Sequence, residues 1–267
     1  MSFITLITDF GLKDGNVGVM KGVIWGIAPG TQIADLSHQI SPQNVLEAAL
    51  ILYRSVPYFP PGTIHVVVVD PGVGTARRPI AARIEAGNGA HYFVGPDNGI
   101  ITMWLEAAEK ESLTAKFVHL DRPQYWLEEV SHVFHGRDIF APAAAHLARG
   151  TAFDDLGTAI HDPVLLKLPQ PARTPNGLTG EVIHIDHFGN ISTNIRVEHL
   201  HKPKKVIVRL GGTEIQGMVQ TFGERQTGEL VALYGSTGNL IVCVVNGSAA
   251  QRLNVLPGAP VEVEIME

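Results

Sequence analysis

The sequence predicts an α/β domain with a mostly parallel sheet over residues 1–165, followed by an all-β barrel domain over residues 179–267. Three observations support this. Apolar strand-like runs alternate with helix-like segments as far as about residue 165. Prolines interrupt residues 166–178 without a regular period, which is typical of a linker. Beyond that segment, helix signals nearly disappear.

The first domain shows the order of strands and helices expected of an α/β protein. Its strand candidates are residues 3–8, 32–36, 63–69, 81–85, 92–94 and 116–120, and its helix candidates are residues 17–27, 42–56, 100–107 and 138–149. The run Ile64–Val69 is apolar at nearly every position, as in strands that helices cover on both faces. This pattern favours a parallel sheet between helix layers.

The second domain is predicted from short β-type runs separated by glycines. These runs are residues 180–185, 205–210, 228–234, 240–245 and 261–265. Short strands at this spacing indicate a small antiparallel barrel, with a sandwich as the alternative.

Composition excludes several function classes. The formal net charge is -6, and we find no basic face or stripe of the kind that binds nucleic acid. The single cysteine, Cys243, cannot form an internal disulfide. Charged Asp9 comes too early for a signal peptide, and no apolar stretch approaches the ~18 residues of a membrane span. We therefore expect a cytoplasmic protein without a membrane partner.

Polar residues and glycines follow several strands of the first domain. These segments are Thr8–Gly11, Asp70–Gly74 and Gly95–Gly99. In open α/β sheets, ligands bind beyond the carboxyl ends of the strands, so these residues are candidates for one site. A single aspartate of this kind is more often a helix cap or part of an Asx-turn, and it is the recurrence that favours a site.

Further candidate segments combine polar and aromatic side chains. Phe134–Asp138 precedes an alanine-rich helix, where Asp138 could be a capping residue and His135 could reach a pocket. Asp186–Asn190 interrupts a strand pattern, and its Phe188 could stack on a flat base. Tyr234–Asn239 and Asn246–Ser248 are either β-turns or part of the same site.

No cofactor or metal motif is recognised in the sequence. It lacks the Gly-rich dinucleotide fingerprint, the Walker loop, the Gly-x-Ser-x-Gly elbow and the His-Glu-x-x-His pattern. The twelve histidines show no zinc spacing. We therefore expect neither a metal ion nor a separate cofactor.

These segments together resemble the S-adenosylmethionine (SAM) hydroxide adenosyltransferase family, whose relatives include the fluorinases and chlorinases. The likeness extends over nearly the whole chain. It is carried by Thr8–Gly11, Asp35–His38, Phe59–Thr63, Val69–Gly74, Pro96–Gly99, Phe134–Asp138 and Phe188–Asn190. The resemblance implies an α/β domain joined to a β-barrel domain, and a homotrimer with its nucleoside site at the subunit interface.

The resemblance also implies a role for each candidate residue. Asp9 would bind the ribose hydroxyls, and Asp14 and Asn16 would lie near the methionine portion. Asp186 and Ser236 would engage the amino and carboxylate groups of methionine. Adenine would contact Phe188, Asn190, Asn246 and Gly247. The attacking water would be bound and activated by Asp70, Arg77 and His135. The adjacent Arg78 is an alternative to Arg77.

The implied reaction is hydrolysis of SAM to adenosine and L-methionine, with water attacking the ribose C5′ carbon. The halogenating relatives carry other residues at the positions of Asp70 and His135, and a serine at Gly136, so the residues here favour water over halide. Thr237 departs from the arginine of the halogenases. Three alternatives remain open: a SAM or adenosine sensor with negligible turnover, a nucleoside hydrolase or phosphorylase acting at C1′, and a halide-using transferase.

Overall fold

The computed structural model describes residues 2–86, 89–200 and 205–266. The chain divides into two units, Met1–Leu166 and Lys167–Glu267. Each unit has its own sheet and its own buried apolar core.

The described part of the first unit contains one seven-stranded sheet. Its strands are β1 (Phe3–Thr8), β2 (Gln32–Ser37), β3 (Ile64–Val68), β4 (Pro79–Ala86), β5 (Gly89–Pro96), β6 (Ala115–His119) and β7 (Thr158–Ile160). Their order across the sheet is β2-β1-β3-β5-β4-β6-β7. Strand β1 therefore lies between β2 and β3, away from both edges.

This sheet is mixed, so the prediction of a mostly parallel sheet is not confirmed. Strand β1 pairs in parallel with β2 and β3, and β3 pairs in parallel with β5. The pairs β4–β5, β4–β6 and β6–β7 are antiparallel. Strand β4 ends at Ala86 and β5 begins at Gly89, and this connection is too short for the crossover that a parallel pair needs.

Helices cover both faces of the first sheet, which confirms the α/β architecture. One face packs against α1 (Asn16–Ile27) and α4 (Ala141–Ala148), and the other against α2 (Val45–Ser55) and α3 (Thr102–Lys110). Successive strand residues point to opposite faces, so Val66 belongs to the first core and Val67 to the second. In the part of the chain that the structure describes, no helix has the length and apolar character needed to cross a membrane.

Two helices differ from their sequence patterns. The side chain of Asn44 accepts a hydrogen bond from the Glu47 amide at 3.0 Å, so α2 starts after this cap rather than at residue 42. The predicted helix 138–149 is divided into a π-helical turn, Gly136–Phe140, and α4. Single π turns inside helices frequently occur at functional sites.

The second unit is an antiparallel, nearly closed barrel-like sheet. Its strands are β8 (Ala172–Thr174), β9 (Gly177–Ile185), β10 (Ile191–Arg196), β11 (Lys205–Leu210), β12 (Thr213–Gln216), β13 (Leu230–Tyr234), β14 (Asn239–Val244) and β15 (Pro260–Met266), with short helices α5 (Val197–Leu200) and α6 (Ala249–Leu253). The order is β12-β11-β15-β9-β10-β14-β13, with β8 on β9. Val219, just after β12, donates its amide to the carbonyl of Ala232 in β13 at 3.0 Å, which links the two ends of the sheet. Strand β8 lies within the segment 166–178 that the sequence predicts to be a linker.

Two histidines are buried against each other in the core of the first unit. His65 of β3 is fully buried, and its Nδ1 lies 2.8 Å from the Thr5 hydroxyl. Its Nε2 lies 3.4 Å from Nδ1 of His91, and the two rings stack with centroids 5.6 Å apart. Trp104 of α3 meets His65 edge-on. Burial, with a smaller contribution from His91, lowers the pKa of His65 from 6.5 to about 3.

We expect this histidine to make the first unit sensitive to acid. The unfolded chain protonates His65 near pH 6.5 but the folded protein only near pH 3, so protons favour the unfolded chain between these values. The contribution of neutral His65 to the free energy of unfolding is therefore complete above pH 6.5 and declines as the pH falls towards 3. At pH 5 the free energy of unfolding should be about 2 kcal/mol lower than at pH 7.5 from this residue alone.

Urea unfolding at both pH values, in wild type and in His65→Gln, measures the effect. The variant should lose less stability than wild type on acidification. His187→Gln, at an exposed position, is the control and should behave as wild type. Equal losses in wild type and His65→Gln would show that the idea is wrong.

Candidate active site

The polar residues that follow β1 and β3 lie beyond the carboxyl ends of these strands, on one side of the first sheet. These strands are parallel neighbours, with Thr8 paired to Val68 in the ladder. Asp9 follows β1 directly, and Asp70 lies two residues beyond the end of β3. The predicted meeting of polar residues at the carboxyl ends of the strands is therefore found for this pair.

Asp70, Arg77 and His135 form one cluster at this edge. Nε of Arg77 donates to Oδ1 of Asp70 at 3.0 Å, and its Nη2 donates to Oδ2 of the same carboxylate. The same Nη2 lies 3.1 Å from Nδ1 of His135. The side chains of Arg77 and Asp70 are only 6% and 5% exposed. A charged pair taken this far out of water is strongly held in one geometry.

The contacts of Arg77 determine the protonation state of His135. A guanidinium can only donate, so Nδ1 of His135 must accept, and the ring is neutral with its proton on Nε2. Burial lowers the pKa of His135, and the positive charge of Arg77 lowers it further, while Asp70 acts in the opposite direction. Nη1 of Arg77 is buried with no hydrogen-bond partner among the described residues. The cluster thus contains a buried cationic donor whose hydrogen-bonding capacity is not fully used by the described residues.

Local sequence shapes the two loops that supply the cluster. Gly74 has a φ of +74°, and a Cβ there would lie 2.3 Å from the carbonyl oxygen of His132. Only glycine allows the Asp70–Arg77 loop to approach residue 132 this closely. From the other side, the ring of Phe140 lies 5.4 Å from the guanidinium carbon of Arg77 and belongs to the π turn that follows His135.

The two candidate arginines have different partners. Arg78 pairs with Asp97 at 2.6 Å and with Asp162 at 2.9 Å, while Arg77 contacts Asp70 and His135. Asp97 also accepts the amide of Val164 at 2.7 Å. The Asp97 carboxylate of the segment Gly95–Gly99 therefore holds the chain near residue 162 in place. It is not part of the Asp70–Arg77–His135 cluster.

Asp9 lies beside the cluster in the loop after β1. Its Oδ2 accepts the backbone amide of Gln43 at 2.8 Å. The next residue, Phe10, packs edge-to-face on Phe134 with centroids 5.7 Å apart, and Phe134 directly precedes His135. Asp14 and Asn16 are exposed at the start of α1, which begins at Asn16. These residues belong to the same β1–α1 connection.

A second group of polar side chains, which begins with Thr8 and His38, contacts the Asp9 loop. The sequence did not predict a role for this group. Nδ1 of His38 lies 3.0 Å from the hydroxyl of Thr8, and Nε2 lies 3.0 Å from Oδ1 of Asp35. The second contact has the distance of a hydrogen bond but a bent N–H direction, so we regard it as mainly electrostatic. Lys21 pairs with the other oxygen of Asp35 at 2.6 Å. The motif Asp35–His38 was visible in the sequence, but nothing local indicated that it faces Thr8.

In the second unit, the carboxylate of Asp186 organises its own loop. Oδ1 accepts the backbone amides of Phe188 and Asn190 at 2.9 Å each, and Oδ2 accepts the Asn190 side-chain amide at 2.8 Å. Phe188 is left 73% exposed. An exposed aromatic ring on a braced loop presents its face to a ligand at small cost in conformational entropy.

The loop Asp186–Asn190 lies against the segment that contains Asn246 and Gly247. A Cβ at Gly189 would lie 2.0 Å from the hydroxyl oxygen of Ser248, and the amide of Ala250 donates to the carbonyl of Gly189 at 3.0 Å. The structure thus brings together the predicted adenine contacts Phe188, Asn190, Asn246 and Gly247.

Ser236 is not part of this group. It lies in the turn between β13 and β14, and Asn239 at the end of that turn pairs with Arg196 at the far end of β10. Asn190 precedes Ile191, which is the first residue of β10. Ile191 pairs with Val242 of β14 and Arg196 with Asn239, so the Asp186–Asn190 loop and Ser236 lie towards opposite ends of the β10–β14 ladder.

No described group of three or more histidine, cysteine, aspartate or glutamate side chains is arranged to hold a metal ion.

Comparison with known proteins identifies the family. The models for the N-terminal and C-terminal domains of SAM hydroxide adenosyltransferases match residues 4–157 and 180–262. A Salinispora tropica protein named (R)-S-adenosyl-L-methionine hydrolase is 40% identical over 96% of this chain and 95% of its own length. A protein of the same name from Thermus thermophilus is 39% identical over 97% and 98%. A crystal structure of an uncharacterized conserved protein from Thermotoga maritima matches with a TM-score of 0.87 and 38% identity over 97% of this chain and 99% of that one. The chain therefore belongs to the SAM hydroxide adenosyltransferase family.

Proposed function

We propose that this protein hydrolyses S-adenosyl-L-methionine to adenosine and L-methionine by attack of water on the ribose C5′ carbon. The observation that carries the proposal is the buried cluster of Asp70, Arg77 and His135, in which one guanidinium nitrogen faces no partner among the described residues. The names of the two relatives agree with this reaction.

In the proposed complex, the first domain binds ribose and water. The Asp9 carboxylate accepts hydrogen bonds from the 2′ and 3′ hydroxyls, a task suited to two fixed acceptor oxygens. Asp14 and Asn16 lie towards the methionine portion. Water lies between Asp70, Arg77 and His135, where bulk solvent is largely excluded.

The second domain binds adenine and part of methionine. Phe188 stacks on the adenine ring, and Asn190 with the backbone near Asn246 and Gly247 bonds its edge. The Asp186 carboxylate already holds three donors of its loop, so its main contribution is to fix Phe188 and Asn190. Ser236 is proposed for the methionine carboxylate.

The reaction is favoured by the charge of the substrate. Water oxygen forms a bond to C5′ while the C–S bond breaks, and the electron pair of that bond neutralises the sulfonium to give the thioether of methionine. The attacking oxygen becomes positively charged and strongly acidic, so it loses a proton readily. Holding water in line with the C–S bond, in a site that excludes other water, supplies much of the acceleration.

The contacts of the cluster support Asp70 as the group that takes the proton. Arg77 cannot accept a proton, and Nδ1 of His135 is already occupied by Arg77 while its Nε2 carries hydrogen. His135 therefore orients water by donating to it. The carboxylate of Asp70 is the remaining acceptor in the cluster and passes the proton to solvent after the step. The mechanism uses no metal and no cofactor, since SAM is itself the substrate.

The assembly is also a proposal. From the family resemblance we propose a cytoplasmic homotrimer with the substrate site at the subunit interface. Sedimentation equilibrium should give three chains per particle, and a monomer at enzyme-assay concentrations would contradict it.

The reaction is tested by incubating the purified protein with SAM in ¹⁸O-labelled water and weighing the products. We expect adenosine that carries one ¹⁸O and methionine that carries none. Release of adenine would instead indicate attack at C1′. Intact SAM, with adenosine only bound, would indicate a sensor.

The proton assignment is tested by Asp70→Asn and His135→Gln. Loss of the general base should lower kcat by roughly 10²–10⁴ in Asp70→Asn. Glutamine still offers an N–H donor, so His135→Gln should lose less than about 10². Asp97→Asn is the matched control, because Asp97 is also a buried carboxylate paired to an arginine but lies outside the cluster. Equal losses in Asp70→Asn and His135→Gln would reject the assignment.

A further inference from the structure

We propose that His38 is a positioning residue for Asp9, which it holds through contacts on both sides of that residue. The inference rests on the proposed function in one respect, namely that the Asp9 carboxylate binds the ribose hydroxyls. His38 itself touches neither Asp9 nor, in our proposal, the substrate.

The two contacts bracket Asp9 in sequence. On one side, Nδ1 of His38 lies 3.0 Å from the hydroxyl of Thr8. On the other, the carbonyl of His38 accepts the amide of Gly11 at 2.7 Å. Thr8 is fully buried and His38 is 5% exposed, so water does not compete effectively for either contact. His38, which directly follows β2, therefore fixes the backbone on both sides of Asp9.

The directions of the hydrogen bonds agree with this arrangement. The Thr8 hydroxyl accepts the amide of Phe10 at 3.3 Å, which leaves its own proton for Nδ1 of His38. Nδ1 then accepts, and the ring proton is on Nε2, which lies 3.0 Å from the Asp35 carboxylate in a mainly electrostatic contact. Lys21 pairs with the same carboxylate and lowers its net negative charge. The ring of His38 is thus held by a hydrogen bond at Nδ1 and by an electrostatic contact at Nε2.

Gly11 makes the second contact possible. Its φ of +67° lies in the left-handed region, where the chain turns and its amide meets the carbonyl of His38. The intervening Phe10 ring packs on Phe134, next to His135. Displacing the loop would therefore move Asp9 relative to the water-handling cluster.

The same strand provides a matched comparison. Thr5 and Thr8 are both fully buried threonines of β1, and each contacts Nδ1 of a histidine. Thr5 contacts His65 inside the core, where the ring meets Trp104, His91 and Phe59 and not the Asp9 loop. Removing the Thr5 hydroxyl should cost stability without moving Asp9.

The experiment uses the full-length protein with His38→Leu, His38→Asn, Thr8→Val and Thr5→Val. The measured quantities are kcat and KM for SAM, the Kd of adenosine by calorimetry, and amide exchange of Phe10 and Gly11. We expect His38→Leu and Thr8→Val to raise KM and Kd about tenfold, the effect of about one hydrogen bond, with a smaller change in kcat. Asparagine can accept the Thr8 proton, so His38→Asn should restore most of the affinity. Thr5→Val should leave KM, Kd and the exchange of both amides as in wild type.

Several results would overturn the proposal. It is wrong if folded His38→Leu binds adenosine as wild type does, or if Thr5→Val raises Kd as much as Thr8→Val. It is also wrong if His38→Asn is no better than His38→Leu. If His38→Leu does not fold, the pair Thr8→Val and Thr5→Val decides by itself.

Failure of the proposed function gives a different pattern. If wild type neither binds adenosine nor cleaves SAM, the proposed function is rejected, and the ribose role of Asp9 with it. If wild type is active but Asp9→Asn binds adenosine normally, only the role of Asp9 is rejected. Weak binding by Asp9→Asn together with normal binding by His38→Leu rejects His38 alone.

Discussion

The site depends on one buried guanidinium. Arg77 has almost no contact with solvent, so its charge must be balanced within the protein, and the Asp70 carboxylate supplies the balance in a two-point contact. The neutral form of His135 follows, because a guanidinium hydrogen has to find an acceptor on the ring. One ion pair therefore sets both the geometry and the protonation of the cluster. A lysine could not replace this arginine, since it lacks the planar fork that bonds both carboxylate oxygens.

The rest of the first unit places that ion pair where two parallel strands end. The pairing of β1 with β3 brings Asp9 and Asp70 to one edge, and the π turn before α4 brings His135 to the same place. The apolar cores on both faces of the sheet hold the strands in place. Gly74 allows the loop that contains Asp70 and Arg77 to approach the backbone of His132. The strands thus form a rigid scaffold, and the residues of the candidate site lie on the loops that follow them.

Sequence predicted what depends on local pattern and missed what depends on distant pairing. The bounds of β1 and β11 were predicted correctly because apolar residues end there at polar or glycine residues. The mixed sheet was missed because alternation of strands and helices was extended over β4 and β5, which have no helix between them. Arg77 and Arg78 are neighbours in sequence, and only the fold directs them to different acids. The contact between His38 and Thr8 was hidden for the same reason, since the two residues are 30 positions apart.

The mixed character of the first sheet also orders its folding. The β4–β5 pair joins neighbouring segments and can close early, whereas β1 and β3 pair residues 60 positions apart, and Arg77 meets His135 across 58. Loop closure over such distances is slow, and its entropy is lost before any contact is gained. The antiparallel half can thus form as a nascent sheet, while Asp9 and the Asp70–Arg77–His135 cluster come together only when the parallel half is complete. A chain arrested at that stage would contain much of its secondary structure but not the buried ion pair between Arg77 and Asp70 or its contact with His135.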